Sequence, residues 1–211
     1  MVRPRLVSDQ TIITEAYELL MENGPKGLTF ESLAKRIGLV PAALVRRFKS
    51  KRQLLLEVDR HGLERTNTKV KEAMENAASS IDAIIAQFTT ELEFASNIER
   101  FARGQELLLM DFRDKDFYDN YRMSFEHRHR QVVGLLKKAQ VEGGLEGIDD
   151  TSRLARHLEM LLHGAGHVWV MTQDGKIEDY IRQHVYFALA PYQRRGPVWI
   201  GSSPAVIDKK K

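Results

Sequence analysis

The chain has 211 residues, 43% of them apolar, enough for one domain of ordinary size and a smaller one, each with its own core. It contains no cysteine, which excludes a disulfide framework, a thiolate metal centre and a cysteine nucleophile. The formal net charge of +3 conceals an asymmetry: Met1 to Gly62 holds eleven Lys and Arg against seven Asp and Glu, while beyond Gly62 the two signs nearly cancel.

In chain order, Met1 to Val7 is an arm with Arg3 and Arg5 on either side of Pro4. Such arms enter a minor groove or stay uninvolved, and both readings are open here. Ser8 is placed to cap a first helix whose apolar stripe is Ile12, Ile13, Ala16, Tyr17, Leu19 and Leu20, with Asn23, Gly24 and Pro25 ending it. Thr29 then caps a short helix with Leu33, Ala34 and Ile37 on one face, and Gly38 supplies the left-handed stop. Pro41 opens the next helix, because proline has no N–H to lose at the first helical position. Its buried side is marked by Ala43, Leu44 and Phe48, and its outer side by Ala42, Val45, Arg46, Arg47 and Lys49. Two short helices joined by a glycine turn, the second with a cationic outer face, is the geometry that lays a helix in a DNA major groove. Five of the seven residues from Arg46 to Arg52 are basic and none is acidic, which suits a polyanion.

Ser50 caps a fourth helix that runs to about Asn76, with Gly62 a point of softening. Lys51 in its first turn opposes the helix dipole, which makes sense if both hold a phosphate. Two further helices lie between Ser79 and Phe112, separated near Asn97, and a long one between Asp114 and Val141 ends at Gly143 and Gly144. The last two run from Thr151 to Thr172 and from Ile177 to Ala190. After Pro191 comes a Gly, Pro and Ser tail around Trp199 that ends in three lysines. No run shows the alternation of a strand, so the expected class is all-α. The expected division is a three-helix helix-turn-helix domain at 1–56, a larger helical domain at 57–192, to which the resemblance described next assigns ligand binding and dimerisation, and a tail at 193–211. No apolar run approaches the ~20 residues that span a bilayer, and the N-terminus lacks a signal-peptide core, so the expectation is a cytoplasmic protein without a membrane partner.

The ordered set Gly24, Gly27, Thr29, Leu33, Ala34, Ile37, Gly38, Leu39, Leu44, Phe48, Lys49, Ser50, Lys51, Leu54 and Leu55 resembles the N-terminal DNA-binding domain of the TetR family of bacterial repressors. The likeness covers about the first quarter of the chain. It implies a homodimeric, all-helical transcriptional regulator released from DNA by a small ligand. Val40 and Val45 stand where that family commonly has a hydroxyl residue and a tyrosine, and Arg47 where histidine is common. On this reading Ala42, Ala43 and Arg46 approach bases, Val45 offers apolar contact, and Thr29, Arg47, Lys49 and Lys51 hold phosphates of a palindromic operator. The resemblance also implies that the last two helices pair with their mates in a second subunit, for which Leu158, Leu162, Ala165, Trp169, Val185 and Leu189 are the candidates. An ordinary intramolecular hairpin is the alternative. Met110, Phe117, Tyr121, Phe125, His163 and Trp169 are candidates to line a pocket for an apolar or amphipathic effector, although such residues at helical spacing are more often plain core.

His163 and His167 are four apart, and His127 and His129 share the long helix, but with no Cys and no partnered carboxylate visible no metal is expected. No cofactor is expected either. An enzyme is the distant alternative: there is no G-x-S-x-G elbow, phosphate-cradling glycine loop or H-E-x-x-H, and so no catalytic residue to name. An architectural, nucleoid-associated protein on the same fold is the nearer one.

Overall fold

The computed structural model describes residues 7–193; the expectations for Arg3, Arg5 and Trp199 lie outside them. Among the described residues the regular structure is nine α-helices, a closing 3-10 turn at Ala190–Tyr192, and one isolated bridge between Leu145 and Gln193. The class is all-α. No described helix is long and apolar enough to cross a membrane.

The chain forms two compact units, and they differ from the expected division at 56/57. The first comprises residues up to Lys71 together with Phe94–Arg128; the second comprises Glu72–Glu93 and the chain from His129 on. Two long helices, α4 (Lys51–Glu75) and α7 (Lys115–Val141), run from one into the other.

In the first unit, α1 (Asp9–Gly27) begins at Ser8, whose hydroxyl accepts the Thr11 N–H. Its regular geometry breaks at Gly24, which has φ 69°, a conformation open to glycine; the Pro25 turn that follows carries the chain into Leu28. Helix α2 (Phe30–Ile37) and α3 (Pro41–Phe48) come next, and α6 (Ile98–Asp111) packs on α1. Ile12, Ala16, Leu19, Leu20, Leu28, Leu33, Ala34, Leu44, Phe48, Leu54, Leu55 and Val58 make one core. Phe117 of α7 is buried in that same core, with Leu107 and Met110 of α6 packed against it. Helix α4 passes through Gly62 without a break. A Cβ there would lie 2.9 Å from Cε2 of Tyr17, so the residue serves a close approach of the Tyr17 ring and does not soften the helix.

In the second unit, α9 (Ile177–Leu189) packs against both α5 (Ser80–Glu91) and α8 (Thr151–Thr172). The six residues expected at a dimer interface are all buried inside this unit: Leu158, Val185 and Leu189 at 0%, Leu162 at 4%, Ala165 and Trp169 at 7% exposure. The indole N–H of Trp169 donates to the Gly175 carbonyl at 3.1 Å, closing the α8–α9 turn. These side chains form the core of this unit, on the inward faces of the two helices. Their opposite sides expose Met160, Val168, Met171 and Phe187.

Candidate nucleic-acid interface

The helix-turn-helix is built by caps. The Thr29 hydroxyl accepts the Ser32 N–H at 3.0 Å while the Ser32 hydroxyl accepts the Thr29 N–H at 2.9 Å and donates to the Gly27 carbonyl. This reciprocal box satisfies two of the donors that a helix start leaves orphaned. Gly38, at φ 70° and ψ 31°, takes the left-handed stop, and the Gly38 and Leu39 N–H groups both return to the Ala34 carbonyl. Val40 has no side-chain cap to give, and Pro41 at the first position of α3 removes one donor that would need it.

These restraints fix which side of α3 faces out. Leu44 and Phe48 enter the core, Ala43 and Arg47 are half-buried, and Ala42, Val45, Arg46 and Lys49 are exposed. The outer surface is therefore small or apolar near the helix start and cationic towards its end, with no acid in the first turn.

The cations differ in what already holds them. Arg47 donates to the Val7 carbonyl at 2.7 Å and pairs with Asp9 at 3.3 Å, tying the chain ahead of α1 to the recognition-type helix. The Lys51 ammonium donates to the Pro25 carbonyl at 2.7 Å, and that of Lys49 to the Arg46 carbonyl at 2.9 Å. Arg46 is exposed, with no side-chain partner among the described residues. Thr29 is half-buried and engaged in its capping box.

Two clamps brace this surface from behind, and neither was visible in the sequence. Arg36 of α2 bridges Glu15 at 2.8 Å and Glu22 at 2.6 Å, both on α1. Its hydrogen bond to Glu22 raises the guanidinium further above its usual range and holds the Glu22 carboxyl below its own. Arg52 in the first turn of α4 grips Asp114 in a two-pronged contact at 2.7 and 2.9 Å and reaches Asp116 at 2.7 Å, at the start of α7. That contact lowers the Asp114 carboxyl. Separations above 60 residues leave no local pattern from which to infer such a pair.

Asp59 of α4 accepts from the Asn120 amide at 3.2 Å, and burial pushes its carboxyl up to about 6. In the second unit His129 bridges α7 and α8, with Nδ1 2.9 Å from a Glu159 carboxylate oxygen and Nε2 3.0 Å from the Ser152 hydroxyl. Arg156 donates to the other oxygen of Glu159 at 2.9 Å. The buried carboxylate is thus fully met, which is how the core tolerates a charged residue on the inward side of α8.

The six candidate effector contacts are not gathered in one unit. Met110, Phe117, Tyr121 and Phe125 belong to the first, His163 and Trp169 to the second. Phe117 is core, His163 is exposed, and Trp169 is closed over by its own hairpin. Tyr121 and Phe125 do come together: their rings stack at 6.3 Å, Phe112 meets Tyr121 edge-on at 6.0 Å, and the Arg128 guanidinium lies 5.9 Å from the Tyr121 ring centre.

Residues 12–58 match the family described as bacterial regulatory proteins, tetR family. Over 167 residues, 77% of this chain and 75% of that protein, the sequence is 25% identical to the nucleoid occlusion factor SlmA of Haemophilus influenzae strain PittGG. Among solved structures, a TetR transcription regulator from Haloarcula marismortui superposes with a TM-score of 0.73 at 20% identity, over 87% of this chain and 96% of that one. A protein from Saccharomonospora viridis described as a transcriptional regulator, solved in complex with choline, gives a TM-score of 0.70 at 18% identity, over 82% and 91%. At these identities the structural likeness establishes a shared fold.

Proposed function

We propose that this chain, whose helix-turn-helix at residues 12–58 matches the tetR family of bacterial regulatory proteins, is a sequence-specific repressor, active as a homodimer in the cytoplasm and released from DNA by a small molecule. The observation that carries the reading is the division of α3 into a core face, Leu44 and Phe48, and an exposed face of Ala42, Val45 and Arg46. Small residues let the helix backbone approach base edges, Val45 suits a thymine methyl, and Arg46 suits the two acceptors of guanine. Lys49 and Lys51 lie beside the capped start of α4, where N–H groups and dipole favour a phosphate. Arg47 supports this surface through Val7 and Asp9 as well as through its charge.

Homodimerisation is supported by the apolar outer sides of α8 and α9: Met160, Val168, Met171 and Phe187 are each about half exposed or more, which is unusual for large apolar side chains on adjacent helices. A palindromic operator calls for two recognition helices about one DNA turn, ~34 Å, apart, which a homodimer supplies. The effector is an apolar or amphipathic small molecule, and the Phe112, Tyr121 and Phe125 cluster is where aromatic surface is available to it. Its binding shifts α4 and with it the spacing of the two reading helices; a differential affinity of a few kcal/mol suffices to move the population.

The likeness to a nucleoid occlusion factor favours a second reading, DNA binding without control of an adjacent promoter. Selection from a random duplex library, with the wild type and Arg46→Ala in parallel, separates them. A repressor enriches one palindrome by roughly 10³ or more over random DNA and loses it with Arg46, and the enriched duplex is placed beside a promoter to read repression. Binding of all duplexes alike overturns both specificity and the assignment of α3.

A further inference from the structure

The joint between α3 and α4 has a backbone that ordinary residues avoid. Lys49 sits at φ 63° and ψ −48°, and the Ser50 N–H donates to the Phe48 carbonyl at 2.6 Å, two residues back. That combination is a γ-turn of the positive-φ kind, rare and strained for any residue with a Cβ. Glycine would adopt it without the clash, yet the chain has lysine.

The surroundings over-determine the turn. On its α3 side the Lys49 N–H closes on the Val45 carbonyl at 2.9 Å and the Lys49 ammonium folds back to the Arg46 carbonyl, two caps on one helix end. On its α4 side the Ser50 hydroxyl accepts the Gln53 N–H, Lys51 is tied to Pro25, and Arg52 is gripped by Asp114 and Asp116. The start of α4 is thereby fixed to two other elements of the same unit, and only Lys49 and the capping Ser50 stand between it and the end of α3.

Resting on the regulator reading above, we propose that Lys49 is a positioning residue for DNA recognition: within the facing that Leu44 and Phe48 impose, its γ-turn narrows the roll of α3 about its own axis and so the angle at which Ala42, Val45 and Arg46 meet the bases. Held in this turn by hydrogen bonds on both sides, the end of α3 has little freedom to roll. Leu44 and Phe48 keep the core face inward, so the roll that matters is the small one that changes how squarely Val45 and Arg46 face the bases, and it bears on sequence choice directly. The stiffness of the joint supports discrimination between sequences; the charge of Lys49 supports affinity for all of them.

Two substitutions separate these contributions. Lys49→Gln removes the charge and keeps the Cβ; Lys49→Gly removes the charge and relaxes the turn. Both are expected to lower the salt slope of binding to a random-sequence duplex by about the same amount. On the palindrome selected by the wild type, Lys49→Gly is expected to lose roughly tenfold more of the specific-to-random affinity ratio than Lys49→Gln. Lys49→Gly is also expected to melt roughly 2–4 °C above Lys49→Gln, because the strain is gone. Equal discrimination ratios for the two variants, with the wild type selective, would overturn the proposal. A wild type that selects no palindrome defeats the regulator reading instead, and the melting order still tests the turn: Lys49→Gly no more stable than Lys49→Gln means the joint is not strained.

Discussion

Helices α3 and α8 solve the same problem with opposite outer surfaces. Each buries an apolar stripe in its own unit, Leu44 and Phe48 in one case, Leu158, Leu162 and Ala165 in the other. What remains outside differs: Ala42, Val45, Arg46 and Lys49 on α3, Met160, Val168 and Met171 on α8. Cations among small residues suit a polyanion, whereas large apolar side chains left in water suit another protein surface. The stripe that marks a helix as amphipathic is thus the part already committed to folding, and the partner is read from what the stripe leaves over.

The sharpest way to break that contrast is to alter both sides of α8. Leu158→Ala should cost about 3 kcal/mol of stability in urea titration, independent of protein concentration, because a fully buried side chain leaves a cavity. Met171→Glu with Phe187→Glu should leave a helical chain that sediments as a monomer. Loss of dimer in the first variant without loss of stability would put the interface back on the inner stripe. On α3, Arg46→Ala should weaken binding of the selected duplex by about 1–3 kcal/mol in an anisotropy titration, against a smaller loss for Arg47→Ala, whose guanidinium is engaged with Val7 and Asp9.

Asp59 offers a test of the two units. With its folded pKa at about 6, above the ordinary 3.8, the folded state binds the extra proton between roughly pH 4 and 6, so its contribution to stability falls as pH rises through that window. Asp59→Asn should flatten this dependence and add roughly 1–2 kcal/mol at pH 7.5, allowing for partial solvent screening. If the units unfold in separate steps, only the transition of the first should respond. The smallest effect is expected at Arg36. Its pairs with Glu15 and Glu22 are solvent-exposed, so Arg36→Ala should cost at most about 1 kcal/mol at low salt and less at high salt.

Local chemistry made most of the elements legible in advance. Ser8, Thr29 and Ser50 cap helices where hydrogen-bonding side chains precede apolar stripes, and Gly38 stops α2 where a left-handed residue is needed. The reading of α3 was legible for the same reason, since a helix of eight residues with one core face leaves little choice for the other. Long-range facts were not. Arg52 finds Asp114 across 62 positions and His129 finds Glu159 across 30, and no spacing rule reaches that far. On α8 and α9 the apolar residues were recognised, but a periodic stripe fixes that a face is buried and leaves open by what: Leu158, Leu162, Val185 and Leu189 are already buried within their own unit. Gly62 shows the same limit: its cost to an isolated helix is local, while the Tyr17 ring it admits is 45 positions away.

The burial of Phe117 among the helix-turn-helix side chains has a practical reach. Recombining regulators by joining one protein's reading head to another's sensing body is natural to attempt at the end of the recognisable motif, near Leu56. A head cut there would keep Leu20, Leu44 and Leu54 but leave behind the Phe117 ring, which is buried in the same core. The transplantable piece is discontinuous, residues up to Lys71 plus Phe94–Arg128, and a chimera that respects the motif alone would begin life with a hole in its core.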